Sequence, residues 1–409
     1  MKFTIFTLTS PIHDPEAIDR NAQAFLDQIA AQTPCVFELT DDFTRYDEAQ
    51  MPLIFVRTGG TEGLFRKVLP HVKGYVRLLT SGMNNSLAAS MEILSFLQQN
   101  GMKGEILHGS IPYIASHLRL EYHIVEAQQR LNGKNIGIIG APSDWLIASE
   151  VDRKAVLQKL GIRCIDITIE ELVEAYHAID CESRQWQDLM ANVVVKDFDS
   201  KATEHLRPYR NGAFKIYLAL KHLIDKYELS GFTLRCFDLL GLLHNTGCMA
   251  LAMFNEQGIP ACCEGDVPTL LTMMIGHALT DCAGFQANPS RIDSSKSQIT
   301  FAHCTVPFDM IQGHSYHTHF ESGIGIAIRG QLRTGCVTIA KVSGDLSRAH
   351  FQQATLIDNL SEGNLCRTQI VLQGESFADY FLQTPIGNHH VIFEGDQTEL
   401  FRTFMKRLA

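Results

Sequence analysis

Two carboxylates flank a glycine in Cys263-Glu264-Gly265-Asp266, between an apolar segment and a stretch where Val267, Leu270, Leu271, Met274, Ala278 and Leu279 recur at helical spacing. Pro268 stands in the first turn, where its missing N–H does no harm. A carboxylate at such a junction is held by loop backbone, which suits a metal ligand or a general base. Asp266 also fits as an N-cap that accepts amide hydrogen bonds, whereas Glu264 lies outside the cap position. In the last third, histidines gather at His303, at His314, His317 and His319, and at His389-His390. His317 and His319 alternate around Thr318 and fit one strand face. His389-His390 follows the turn Pro385-Ile386-Gly387-Asn388, so one ring can point inward while the other meets solvent. With Glu264 these side chains offer oxygen and nitrogen donors suited to Mn²⁺ or a similar divalent ion, not the thiolates of a zinc ribbon.

The elements that must position them alternate. Residues 3–9 read as a strand and 15–31 as a helix striped by Ala17, Ile18, Ala22, Phe25 and Ile29. Pro52-Leu53-Ile54-Phe55-Val56 reads as a buried strand ending in Arg57-Thr58-Gly59-Gly60-Thr61-Glu62. The strand Tyr75 to Leu79 ends in Ser81-Gly82-Met83-Asn84-Asn85-Ser86, where one residue is expected to cap the next helix. Such β-α alternation implies a parallel sheet with ligands at the carboxyl ends of its strands. After a long helix to Leu131, Asn135-Ile136-Gly137-Ile138-Ile139-Gly140 opens a second unit. Gly140-Ala141-Pro142-Ser143-Asp144-Trp145 lacks the glycine spacing of a dinucleotide site. Trp145 fits either a sugar-stacking role or the core. Beyond residue 297 the rhythm changes to strands at 298–303, 324–329 and 336–342, the last two expected in hairpins of an antiparallel sheet or barrel. The expected fold is therefore α/β, with an α/β domain over 1–131, a second carrying Glu264 over 132–296, and a C-terminal β-rich domain over 297–409.

Length and charge narrow the function. The 409 residues carry 35 Lys+Arg against 45 Asp+Glu, an acidic balance that argues against nucleic acid or an anionic membrane as the main partner. Eleven cysteines, an odd number without paired CxxC spacing, point to a reducing, cytoplasmic setting and not to a disulfide framework. No apolar run approaches membrane-spanning length, and the N-terminal apolar run is too short for a signal peptide.

Cys263-Glu264-Gly265-Asp266, Gly276-His277-Ala278-Leu279-Thr280 and Phe285-Gln286-Ala287-Asn288 resemble the active-site segment of the L-fucose isomerase and L-arabinose isomerase superfamily. The turn at 59–62, Asn85-Ser86, Pro142-Ser143-Asp144-Trp145 and His319-Phe320-Glu321-Ser322-Gly323 are similar to a shorter, fucose-isomerase-like branch. The resemblance implies two Rossmann-like α/β domains followed by a barrel-like β domain, and a homo-oligomer, trimeric or hexameric. It implies Mn²⁺ or another divalent cation as cofactor. Glu264 matches the glutamate that binds metal and moves a proton, His390 the C-terminal histidine ligand, and His303 a further histidine ligand. Asn288 departs from the pattern, because the superfamily places a second acidic residue there. An amide carbonyl can coordinate an ion but cannot accept and return a proton.

The implied reaction is aldose–ketose isomerisation of a free sugar through an ene-diol, on a pentose, a 6-deoxyhexose or a C6-modified hexose such as a sulfosugar. Glu264 is the expected base, and Asp266 and Glu321 are candidates for the missing acid/base partner. Arg57, Asn85, Trp145 and Arg329 are candidate contacts to distal substrate atoms, the arginines favouring an anionic substituent. Asn288 keeps two alternatives open: a lyase or epimerase on the same scaffold, and a non-catalytic sugar-binding protein.

Overall fold

The computed structural model describes residues 1–408. It divides into two compact units, Met1–Glu126 and the chain from Ala127 onward.

In the first unit, β1 (Lys2–Leu8), β2 (Val36–Thr40), β3 (Pro52–Val56), β4 (Val76–Leu79) and β5 (Gly104–Leu107) form a parallel sheet in the order β2-β1-β3-β4-β5. The central strands are apolar on both faces, as helices on either side require: Leu53, Ile54, Phe55 and Val56 of β3 are all buried. The helix Pro15–Gln32 buries Ile18, Ala22, Leu26 and Ile29 and is capped by the Asp14 carboxylate. The turns after β3 and β4 abut, with Gly59 N–H donating to the Asn84 carbonyl at 2.7 Å. No side-chain cap forms at Asn84, Asn85 or Ser86. Both asparagines are in the left-handed region, and Ser86 Oγ instead accepts from Thr80 at 2.7 Å.

The second unit begins with β6 (Asn135–Ile139), β7 (Arg163–Ile167), β8 (Leu229–Leu234) and β9 (Ala261–Cys263), parallel in the order β7-β6-β8-β9. Six antiparallel strands then close a barrel in the order β10-β11-β16-β15-β14-β17. They are β10 (Phe285–Asp293), β11 (Gln298–His303), β14 (Gly335–Val342), β15 (Ala349–Leu360), β16 (Thr368–Gln373) and β17 (His390–Glu394). β12 (Ile311–His317) pairs only with β13 (Ala327–Leu332). The strand expected at 324–329 thus starts later and is hydrogen-bonded to β12, not in a hairpin with residues 336–342. The preceding Gly323 and Gly325 hold positive φ, which keeps that stretch out of a strand.

The barrel starts at Phe285, before the boundary expected at 297, and shares one core with the second parallel sheet. Phe232 and Leu234 of β8 belong to the same apolar cluster as Phe301, Ile339 and Ile392 of the barrel. The helix Val267–Thr280 joins the two layers, and almost every one of its residues is buried. Val342 N–H donates to Thr272 Oγ1 at 3.0 Å, and Gly276 is needed because a Cβ there would meet the Phe393 ring 2.1 Å away. Among the described residues no helix is long and apolar enough to cross a membrane, and the cysteines are all free thiols.

Candidate metal centre

Glu264 follows the last residue of β9, an edge strand whose outer backbone groups need partners. Gln286 supplies them from β10: its Oε1 accepts from Cys263 N–H at 2.7 Å and its Nε2 donates to the Cys263 carbonyl. Glu264 then takes a left-handed backbone, φ 66°, and Gly265 another, φ 75°, which turns the chain into the helix at 267. The turn is clamped from outside, since Ser143 N–H donates to the Glu264 carbonyl at 2.9 Å and Gly265 N–H to the Leu234 carbonyl at 3.1 Å.

Gly265 has no room for a side chain. A Cβ would stand 2.6 Å from Pro142 Cα and 2.7 Å from the Ala141 carbonyl. Gly265→Ala is expected to cost about 2–3 kcal/mol through backbone strain and displacement of that loop. A denaturation midpoint unchanged from wild type would refute the close approach.

Asp266 serves two purposes, one with each oxygen. Oδ1 accepts from Thr269 N–H at 2.9 Å, the N-cap bond anticipated from sequence. Oδ2 accepts from His389 Nδ1 at 2.9 Å and lies 3.4 Å from Lys341 Nζ, which also donates to Thr269 Oγ1 at 2.5 Å. Asp266 and His389 are 0 % exposed and Lys341 1 %, so these charges depend on one another for solvation. Burial works against the Asp266 charge, but Lys341 and His389 outweigh it and hold the carboxyl well below its ordinary range.

The second ring nitrogen of His389 faces Glu264. Its Nε2 lies 3.4 Å from Glu264 Oε1, and His303 Nε2 lies 3.9 Å from the same oxygen. The two imidazoles meet edge to face at 5.4 Å, and His303 Nδ1 is engaged by Thr305 Oγ1 at 3.0 Å. Against the cost of burial, the neighbouring His303 and His389 imidazoles hold the Glu264 carboxyl far below the usual carboxylate range. Burial lowers His389 but Asp266 and Glu264 raise it to about 9, while burial keeps His303 below the ordinary imidazole value. With His389 protonated, two cations, His389 and Lys341, balance two carboxylates.

Glu264, His303 and His389 each offer one donor atom, and the three atoms lie within 4.8 Å of one another. Two further observations fit this group to a metal ion. His389 Nε2 is buried without a hydrogen-bond partner. Each ring also has its other nitrogen fixed, by Asp266 or by Thr305, the arrangement that sets tautomer and orientation in metal-binding histidines. Loss of the Nε2 proton leaves His389 with a lone pair on an atom within 4.8 Å of the Glu264 and His303 donors.

The remaining sequence candidates fall as follows. His390 is not in this group: its Nε2 is taken by the Tyr380 hydroxyl at 2.9 Å and its Nδ1 by the Asn388 carbonyl, and the ring packs against Phe381. Asn288 pairs with Ala302 in the barrel ladder, and its Oδ1 accepts from Asn388 at 3.1 Å. Glu321 is exposed in the turn closed by Gly323 N–H on the His319 carbonyl. Trp145 is neither core nor free: it is 52 % exposed, yet its Nε1 donates to Glu264 Oε2 at 2.6 Å while its ring meets Phe237 edge-on at 4.9 Å. Phe237 meets His319 in the same manner. Arg329 lies on β13 with its Nε donating to the Arg367 carbonyl. Arg57 and Asn85 belong to the first unit, where Arg57 is ion-paired with Asp19.

Arg235 completes the site's scaffold. It donates to the Pro142 carbonyl at 2.6 Å and pairs with Asp144 and Asp238 at 3.1 Å, so it fixes the loop that carries Trp145.

Over 184 residues, 44% of this chain, the sequence is 30% identical to a sulfoquinovose isomerase from Clostridium sp. (strain MSTE9). The match takes in 39% of that relative's length. The chain matches no protein-family model.

Proposed function

We propose that this protein is a metal-dependent aldose–ketose isomerase acting on a free sugar through an ene-diol, with a C6-sulfonated hexose favoured among its candidate substrates. The observation that carries the reading is the converging Glu264, His303 and His389 donor set with its unpartnered His389 Nε2. The similarity to a sulfoquinovose isomerase supports both the reaction and the sulfosugar. Glu264, His303 and His389 would hold the ion, with Mn²⁺ suited to one carboxylate and two imidazoles. When bound, such an ion supplies Lewis acidity to the carbonyl and adjacent hydroxyl of the open-chain sugar.

The chain's own groups do the rest. Glu264 is kept ionised, the form in which it can take the C2 proton and return it at C1. Asp266 fixes the His389 ring and is itself spent on Thr269 and Lys341, so it acts as a positioning residue. Trp145 holds Glu264 Oε2 and leaves Oε1 toward the histidines, while its exposed face offers a flat surface to the sugar. The asparagine at 288 leaves the hydroxyl protons to water or to a residue of the open rim.

Metal content after purification without chelator, combined with NMR of sugars in D₂O, tests the proposal. Stoichiometric metal with deuterium entering beside the carbonyl of one sugar is the expected result. Metal-free protein that exchanges no sugar would leave only a binding role. Trp145→Phe keeps the ring and removes a bond to a charged acceptor, a loss of about 1.5–3 kcal/mol. Turnover is expected to fall roughly tenfold or more, and wild-type kinetics in that variant would remove Trp145 from the machinery.

A further inference from the structure

Several enclosed arginines in this protein have acidic partners. Arg77 pairs with Glu121, Arg210 with Asp199, and Arg235 with Asp144 and Asp238. Arg329 and Arg367 do not: both are half-buried, and neither has a carboxylate within ion-pair distance among the described residues. Their backbones and side chains interlock, since Arg329 Nε donates to the Arg367 carbonyl at 3.3 Å and Arg367 Nε to the Thr318 carbonyl at 2.7 Å. Arg367 also lies over the Phe320 ring, 5.7 Å from its centroid.

The ladder between β12 and β13 puts Arg329 opposite Ser315 and Ala327 opposite His317. Opposed residues and those two apart share a face, so Ser315, His317 and Arg329 are presented together, and Ser315 Oγ lies 2.9 Å from His317 Nε2. The neighbours register an unbalanced positive field. Burial and then Arg367 lower Arg329 below its ordinary value, and burial with Arg329, Arg367 and His205 lowers His317 to about 4. Two like charges held together away from bulk water are unfavourable until an anion joins them.

The place of this pair connects it to the metal centre. Thr368, next to Arg367, is the ladder partner of His303, and Arg367 N–H points at Cys304 Sγ at 3.5 Å. Arg367 also contributes, after burial and His303, to lowering His319 to about 4, and His319 in turn feels Glu264. The pair therefore stands at the end of the barrel where β11 delivers a ligand.

We propose that Arg329 and Arg367, with Ser315 and His317 beside them, form a clamp for a tetrahedral oxyanion carried by the substrate, a sulfonate or a phosphate at the end of the sugar remote from the reacting carbons. The proposal rests on the isomerase reading for its substrate. Guanidinium groups fit such oxyanions through paired N–H donors, which lysine cannot reproduce.

The test compares hexoses that differ only at C6, bearing a hydroxyl, a sulfonate or a phosphate, in wild type, Arg329→Met, Arg367→Met and Arg367→Lys. The expected result is that the preference in kcat/KM for one anionic sugar over the hydroxyl sugar falls at least tenfold in each methionine variant and less in the lysine variant. Whichever anion wild type prefers names the source. An undiminished preference in both methionine variants, or no preference in wild type, overturns the clamp. If wild type turns over none of the three sugars, the isomerase reading fails, and the clamp is judged on thermal shifts with inorganic sulfate and inorganic phosphate. Saturable stabilisation of wild type that both methionine variants lose supports it, and equal shifts in all proteins overturn it.

Discussion

Under the proposed isomerase reading, Glu264→Gln is expected to reduce sugar turnover by about 10³-fold or more while leaving the fold intact, because that reading makes one carboxylate both base and ligand. The side chains are the same size, and glutamine meets the same left-handed backbone at φ 66°. Loss of function would therefore be chemical and not conformational. Three measurements separate the roles. Bound metal is expected to drop, since a neutral amide replaces the only carboxylate among the three converging donors. Deuterium exchange beside the carbonyl is expected to vanish even when metal is supplied in excess. The melting temperature of the metal-free protein is expected to fall modestly with the fold retained, because His389 loses one of the two carboxylates that stabilise its protonated form. Turnover within tenfold of wild type at saturating metal would move the base elsewhere.

Asp266→Asn should have the largest effect on stability. Lys341 is 1 % exposed and its ammonium has only Asp266 and Thr269 within reach in the structure described. Neutralising Asp266 strands that cation and the protonated His389 in the interior, at a cost of about 3–5 kcal/mol, or roughly 10 °C in Tm. Lys341→Met in the same chain should recover part of the loss, because an apolar side chain needs no counter-charge. A double variant as unstable as or less stable than Asp266→Asn alone would mean that the ion pair is not the reason Asp266 is needed. The cap is a smaller matter: an asparagine can still accept from Thr269 N–H.

Much of this arrangement was legible in the sequence, and the failures have physical causes. The junction at Glu264-Gly265-Asp266 was readable because Pro268 and the apolar periodicity fix where the helix begins. Sequence offers the cap and site readings of Asp266 as alternatives, although a carboxylate has two oxygens and this one uses both. Between His389 and His390, strand alternation gave no guide, since β17 is buried on both faces and each ring has an enclosed position to occupy. The turn ahead of it, with Gly387 at φ 69°, decides which ring meets Glu264. Lys341 did leave a signal, a lone lysine inside the apolar Cys336 to Val342 strand, where a cation requires a buried acid. Arg367 left none, because only the packing of the β12–β13 pair against the start of β16 brings it beside Arg329.

Closure of the barrel bears on how this centre comes apart. His303 ends β11, Lys341 lies in β14 and His389 immediately precedes β17, all strands of a ring in which every member has two neighbours. No strand of that ring can peel away without breaking ladders on both sides, so local opening costs nearly as much as opening the whole ring. Amide protons of Phe301, Ala340 and Val391 are accordingly expected to exchange together, in the slowest class, and faster exchange at β17 alone would contradict this. Separate loops could each release a ligand by a private fluctuation. Here His303, Lys341 and His389 are held or lost as one cooperative unit.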